Sequence, residues 1–255
     1  MKANTSVQTF LNIDELCDFA KRSIIEIANE AIKARGRFLI MLSGGTIPLK
    51  LYEKLAQEKP ALSNVEGLDW TRIHFFWGDE RCVPVDDPGN NFGQAKKVWF
   101  DNIGATNIHR IKSDPSTGSG QRFEPARAAS DYAATLKVFA EPPLDWPRFD
   151  LVLLGMGEDG HTASLFPGSP VDVDSPTLAV TANYQDRPAN RVTLTPMVFN
   201  QAREIWFLVT GSSKAETLRK VLKGEYKPDV YPAQRIQPVN GNLVWMIDEA
   251  AGSLL

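Results

Sequence analysis

Short runs of consecutive apolar residues alternate along the chain with longer stretches in which apolar residues recur every three or four positions. The runs at 38–42, 73–77, 151–154, 204–210 and 242–247 carry hardly a polar residue, the pattern of strands buried on both faces. Segments 178–182 and 191–195 are also strand-like. Between the runs, Leu16, Phe19, Ala20, Ser23, Ile24, Ile27, Ala28, Ala31 and Ile32 form one helical stripe, so the spacing predicts a helix over 13–35. Asn12 is placed to cap it and Gly36 to end it. Further helices are predicted from Pro48 to about 57, over 92–100, over 125–140, briefly after Pro196, and from Lys214 to about 223. Strands alternating with helices imply an α/β fold: a single doubly wound, mostly parallel sheet with helices on both faces. No repeat or boundary divides the pattern, so 1–255 is read as one domain.

Composition narrows the function. At 255 residues, 43% hydrophobic and 23% charged, the chain can bury a sizeable core. A net charge of −3 argues against nucleic acid as a partner, so any anion must be held by local cations and oriented amides. No apolar run approaches the roughly 20 residues of a membrane span, and the first residues lack the apolar core of a signal peptide. Cys17 and Cys82 fit no disulfide or metal spacing and read as reduced thiols of a cytoplasmic protein. The three histidines are too far apart to suggest a zinc site.

The chemistry concentrates where predicted strands end. The 151–154 run opens into Gly155-Met-Gly-Glu-Asp-Gly-His161, with Glu158, Asp159 and His161 in one glycine-punctuated turn. Three readings compete: a plain tight turn, a dinucleotide-binding fingerprint, and a catalytic loop. Gly155-x-Gly157-x-x-Gly160 spells the fingerprint, but Pro167 and Pro170 stop the long helix it requires, and segment 178–182 ends without the required acid. The catalytic reading fits the other strand ends. Ser43-Gly44-Gly45-Thr46 lies between a strand and a helix start, where amides and the helix dipole favour an anion. Gly78-Asp79-Glu80-Arg81 is a second charged cluster, followed by a turn-rich loop at 86–91. Lys214, after Gly211-Ser-Ser, sits at a helix start where the dipole disfavours it, and a bound anion would explain its presence. A polar loop carrying Arg187 separates the strand-like segments 178–182 and 191–195, and 113–120 is a polar loop. His74 reads as structural, and His109 receives no role.

Ser43-Gly-Gly-Thr-Ile-Pro48, Asp79-Glu-Arg-Cys-Val-Pro84, the stretch from Gly155 to Pro167 and Gly211-Ser-Ser-Lys214, in this order, resemble the 6-phosphogluconolactonase family. The resemblance spans essentially the whole chain and implies a modified Rossmann-like fold similar to that of glucosamine-6-phosphate deaminase. It implies hydrolysis of 6-phospho-D-glucono-1,5-lactone, a small-molecule sugar-phosphate substrate, with no metal or organic cofactor. By resemblance His161 is the general base, a role suited to an imidazole that titrates near 6.5 in the free amino acid. Asp159 is then its orienting partner, Arg81 stabilises the lactone oxygen or grips a hydroxyl or phosphate, and Asp79 binds sugar hydroxyls or pairs with Arg81. Ser43, Gly44, Gly45, Thr46, Lys214 and Arg191 are expected to hold the phosphate, and Asn91 and Gly157 to line the substrate.

Two rivals remain. A deaminase or isomerase typically has a glycine turn one residue shorter, Asp-Glu-Tyr in place of Asp79-Glu80-Arg81, and a glutamate where this chain has Phe166. A non-catalytic sugar-phosphate sensor would keep the phosphate turn and lose the base. The chain also departs from the lactonase pattern: Thr46-Ile47 replaces Ser-Thr or Arg-Thr, and Asn90-Asn91 replaces Ser-Asn.

Overall fold

The computed structural model describes residues 4–58, 67–114, 123–170, 172–184 and 188–255. In chain order the elements are β1 (Asn4–Phe10), α1 (Ile13–Arg35), β2 (Phe38–Leu42), α2 (Thr46–Leu55), β3 (Ile73–Trp77), β4 (Asp79–Arg81) and α3 (Asn91–Ala95). Helix α3 continues through a wide π segment, Lys96–Phe100, into α4 (Asp101–Ile103). There follow β5 (Ile108–His109), α5 (Pro125–Val138), β6 (Leu151–Gly155), β7 (Thr177–Thr181), β8 (Asn190–Leu194), α6 (Pro196–Phe199) and β9 (Glu204–Val209). A 3₁₀ turn, Ser212–Lys214, leads into α7 (Ala215–Lys223), and β10 (Asn242–Asp248) and α8 (Glu249–Gly252) complete the chain.

Seven strands form one sheet in the order β1-β10-β9-β6-β2-β3-β5, with every pairing parallel. The mostly parallel sheet with crossover helices is the architecture the sequence predicts. Two predicted strands leave it: β7 and β8 pair antiparallel with each other, and β8 with β4, as a separate three-stranded sheet. The departure occurs at Gly78, whose N–H donates to the Leu42 carbonyl of the main sheet while its own carbonyl accepts from Leu194 of the small one. Strands β2 and β6 are buried along nearly their whole length.

The first helix forms as its caps predict. Asn12 accepts from the N–H groups of Asp14 and Glu15, and Gly36 ends the helix at φ 75°. Its buried face is Leu16, Cys17, Ala20, Ile24, Ala28 and Ala31. Helix α2 starts at Thr46, two residues before the predicted Pro48. The predicted 92–100 helix widens into a π segment at Lys96. The predicted polar loop at 113–120 lies largely outside the described residues, as does Arg187.

The strand order places β6 beside β2, and the chain moves outward from that pair in opposite directions, to β9 on one side and β3 on the other. Such a reversal opens a crevice at the carboxyl ends of the strands, the usual ligand site of an open α/β sheet.

Candidate active site

The crevice holds a cavity of about 300 Å³ lined by the carboxyl ends of β2, β6 and β9 and the segments just after them, together with the small sheet. Ser43, Gly44, Gly45, Thr46, Asp79, Arg81, Asn91, Gly157, His161, Arg191 and Lys214 all line it. Of the residues expected to form the site, Asp159 alone stands behind the wall, where it contacts His161.

The floor on one side is the turn after β2. Tyr52 of α2 folds back on it: the Ser43 N–H donates to the tyrosine oxygen at 3.1 Å, and the tyrosine hydroxyl donates to the Ser43 carbonyl at 2.9 Å. Helix α2 has Gly45 at its N-cap and no side chain capping its first amides, so its positive end stays open to the cavity. Gly44 is required by close approach, since a Cβ there would lie 1.9 Å from Asn91 Oδ1. Ser43 Oγ, Arg81 Nε and Asn91 Oδ1 are buried without a protein hydrogen-bond partner among the described residues. All three belong to residues that line the cavity, where a bound molecule or water can satisfy them.

The second wall is the β4 segment. Asp79, 6% exposed, accepts from Ser164 Oγ at 2.7 Å and from Asn91 Nδ2 at 3.4 Å, so its partners are Ser164 and Asn91 rather than Arg81. Glu80 points away from the cavity and accepts from the N–H groups of Arg81, Asn91 and Phe92 at 2.7–2.8 Å, which satisfies the start of α3. Burial pushes the Glu80 carboxyl up to about 7 although these three bonds pull it down. Asn90 caps the same helix by accepting from Gly93 N–H at 2.7 Å, a job a serine could also do. Beyond the cap, Asn90 Nδ2 also donates to the Val83 carbonyl at 3.1 Å, a second bond that the departure from serine adds. One residue beyond Arg81, burial pushes the Cys82 thiol up to about 12, far from a nucleophilic thiolate.

Arg81 and Arg191 face each other directly in the β4–β8 register. Like charges in such a pair destabilise a sheet by themselves. Arg81 Nη1 donates to the Gly89 carbonyl at 2.6 Å, and the Arg191 guanidinium packs over the Phe166 ring at 5.1 Å. Both arginines line the cavity, as does Lys214, whose ammonium donates to the Met156 carbonyl. Three cations around one cavity suit a multiply charged anion.

The third wall is the glycine loop after β6. Gly157 N–H donates to the His161 carbonyl at 2.9 Å and Gly160 N–H to the Gly157 carbonyl at 3.1 Å, closing a tight turn. A Cβ on Gly157 would fall 2.1 Å from His161 Nδ1, so only glycine lets the imidazole lie flat on the turn. His161 Nδ1 is 2.6 Å from Asp159 Oδ1, and the same oxygen accepts the His161 N–H at 3.0 Å. Burial raises the Asp159 carboxyl, but the hydrogen bond and charge of His161 outweigh it and hold the group below the ordinary value. An ionised Asp159 fixes the ring proton on Nδ1 and leaves Nε2 as the acceptor. Ala163, which also lines the cavity, has φ 48°, a strained value for a residue with a side chain.

Two aromatic rings hold the imidazole: Phe166 at 4.6 Å and, nearly edge-on, Tyr184 at 4.7 Å. Tyr184 lines the cavity and carries no sequence signal, because it lies in a polar loop without periodicity. Among the described residues, no cluster of three or more His, Cys, Asp or Glu side chains could hold a metal, and no helix is long and apolar enough to cross a membrane.

The family model described as glucosamine-6-phosphate isomerases/6-phosphogluconolactonase matches residues 12–245. A 6-phosphogluconolactonase of Synechocystis sp. is 38% identical over 252 residues, covering 98% of each chain. The solved 6-phosphogluconolactonase of Trypanosoma brucei superposes with a TM-score of 0.83 at 27% identity over 99% of each chain. A monomeric glucosamine-6-phosphate deaminase shares the fold at TM-score 0.79 and 22% identity, over 99% of this chain and all of that one.

Proposed function

Because the chain belongs to the glucosamine-6-phosphate isomerase/6-phosphogluconolactonase family, we propose that it hydrolyses 6-phospho-D-glucono-1,5-lactone to 6-phosphogluconate, in the cytoplasmic oxidative pentose phosphate pathway. The observation that carries this reading is the Asp159–His161 dyad opening onto the same cavity as Arg81, Arg191 and Lys214. A base and an anion grip share one chamber, as hydrolysis of a phosphorylated lactone requires.

In this reading the phosphate lies on the Ser43–Thr46 turn at the open end of α2, with Lys214 and Arg191 as counter-charges. His161 Nε2 takes a proton from a water as the water oxygen attacks the lactone carbonyl carbon. Arg81 stabilises the charge that grows on the carbonyl oxygen, its guanidinium already facing a partly enclosed site. The tetrahedral intermediate collapses by breaking the bond to the ring oxygen, which receives the proton back from the imidazolium. Asp159 stabilises that imidazolium between the two transfers. Asp79, fixed by Ser164 and Asn91, accepts hydrogen bonds from sugar hydroxyls.

The test is a lactone-hydrolysis assay corrected for spontaneous ring opening. Acceleration is expected without added metal and in the presence of a chelator. A rate no faster than the spontaneous one would overturn the reading, as would chelator inhibition that metal reverses. Ammonia release from glucosamine 6-phosphate would assign the deaminase reaction instead.

A further inference from the structure

Behind the His161 loop, the 3₁₀ turn at 212–214, α7 and the segment 227–236 make a series of contacts whose acceptors are the loop's own carbonyls. The Met156, Glu158 and Gly160 carbonyls accept in turn from Lys214 Nζ, Thr217 Oγ1 and the Ala233 N–H. These alternate residues lead directly to His161 and turn one edge of the loop toward a fixed backing. Farther on, Gly168 N–H donates to the Asp229 carbonyl at 2.9 Å.

Arg235 completes this backing. It is 5% exposed, and each nitrogen of its guanidinium has a carbonyl: Nε donates to Pro228 at 2.9 Å, Nη1 to Pro170 at 2.9 Å and Nη2 to Ser169 at 2.8 Å. Only a planar fork can reach three carbonyls on two separate segments at once. Burial lowers the pKa of this arginine, a sign of what it costs to keep a charge here. The clamp continues toward the site. Ser169 Oγ accepts the Phe166 N–H at 2.9 Å, and Ser169 N–H donates to the Phe166 carbonyl at 2.9 Å. The Phe166 ring then packs on the imidazole of His161 at 4.6 Å, inclined by 32°.

We propose that Arg235 is a positioning residue for the base: by clamping Ser169 and Pro170 it fixes the turn that carries Phe166, and Phe166 fixes the plane of His161. This deepens the proposed mechanism and rests on His161 being the base. Arg235 does not line the cavity, so it acts on the reaction only through the loop. A displacement of about 1 Å at a reacting group can cost roughly 10²-fold in rate, so a small relaxation of the clamp is enough to register.

Two variants test it, each made in the wild-type and the His161→Ala background. Arg235→Lys keeps the charge but loses the fork, while Ser169→Ala removes one oxygen from a half-buried position and leaves Arg235 intact. Arg235→Lys should lower kcat about 10-fold and Ser169→Ala about 3-fold with KM nearly unchanged, and both losses should vanish in the His161→Ala background. A merely structural role would lower the melting temperature and leave kcat per folded molecule alone. Folded variants with wild-type kcat, losses confined to KM, or equal losses in both backgrounds would each overturn the proposal. If Arg235→Lys does not fold, Ser169→Ala decides. His161→Ala measured alone separates the two levels: wild-type turnover there sinks the base assignment and this proposal with it, whereas a large loss leaves Arg235 to be judged on its own variants.

Discussion

His161 and His109 both end up beside a hydrogen-bonding partner in a nest of aromatic rings, yet their surroundings are opposite in character. His161 faces the carboxylate of Asp159 and opens onto the cavity. His109 faces another histidine: its Nε2 is 3.1 Å from His74 Nδ1, and the two rings stack 5.3 Å apart and 7° from parallel. Phe76 and Phe139 enclose the pair, and neither of its members lines the cavity. A carboxylate partner favours an imidazole that gains a proton during the reaction. A second imidazole between phenyl rings favours one that never does, and burial pushes His109 down to about 4 with His74 also lowered. The group that faces each ring and its access to the cavity, rather than residue type, separate the two histidines.

The largest effect should come from removing the first of these rings. His161→Ala should lower kcat by roughly 10²–10⁴, the usual contribution of a positioned general base, and should fold normally. Product binding, measured by calorimetry, should survive because the cations lie on other elements. A folded variant with near-wild-type turnover would erase the contrast between the two histidines. Asp79 would then be the carboxylate to test, since Glu80 is spent on the start of α3.

Lys214→Ala should have a smaller effect, an increase in KM of about 10-fold, because it removes one of three cations remote from the reacting carbon. A parallel fall in kcat would show that its bond to the Met156 carbonyl also steadies the His161 loop. Unchanged kinetics would place Lys214 outside the anion grip.

The contrast itself was half legible in the sequence. Parallel strands covered on both faces must be apolar throughout, so β2, β6, β9 and β10 could be read directly. The turns at their ends were legible because glycine and charge are local signals. Strand β1 was missed because Asn4–Phe10 lies at a sheet edge, mostly exposed, and carries no apolar run. Strand β4 is three charged residues long, and its partner β8 lies more than a hundred positions away, so neither the small sheet nor the facing of Arg81 and Arg191 could be read from local pattern. The same holds for Tyr184 and Arg235, which reach His161 or its loop only through the tertiary fold. His74 reads as structural from its place inside an apolar strand and stands outside the cavity, whereas its partnership with His109 across β3 and β5 is a product of register.

The smallest effect concerns stability, and its sign follows from the lowered histidine pKa values. In the unfolded chain His109 should titrate near 6.5, and in the fold at about 4. Between these values the unfolded state takes up a proton that the native state refuses. The stability this provides is present above about 6.5 and is lost as pH falls toward 4. Glu80 works in the opposite sense over much of that range: raised to about 7, it favours the fold as pH falls and its carboxyl becomes neutral. The wild-type protein should therefore show a shallow acid slope, with two larger ones opposing each other beneath it. His109→Phe keeps the stack on Phe76, Phe139 and His74 and deletes the titrating group. Denaturant melts at pH 7 and pH 5 should show the variant losing less stability than wild type over that interval, by about 1 kcal/mol once partial exposure of the pair is allowed for. The Glu80 contribution is common to both proteins and cancels in the difference. kcat at pH 7 should stay at the wild-type value, since the pair stands apart from the cavity. An identical acid loss in the two proteins would mean that His109 takes up its proton in the fold as readily as in the unfolded chain, and the opposition between the two histidines would then rest on geometry alone.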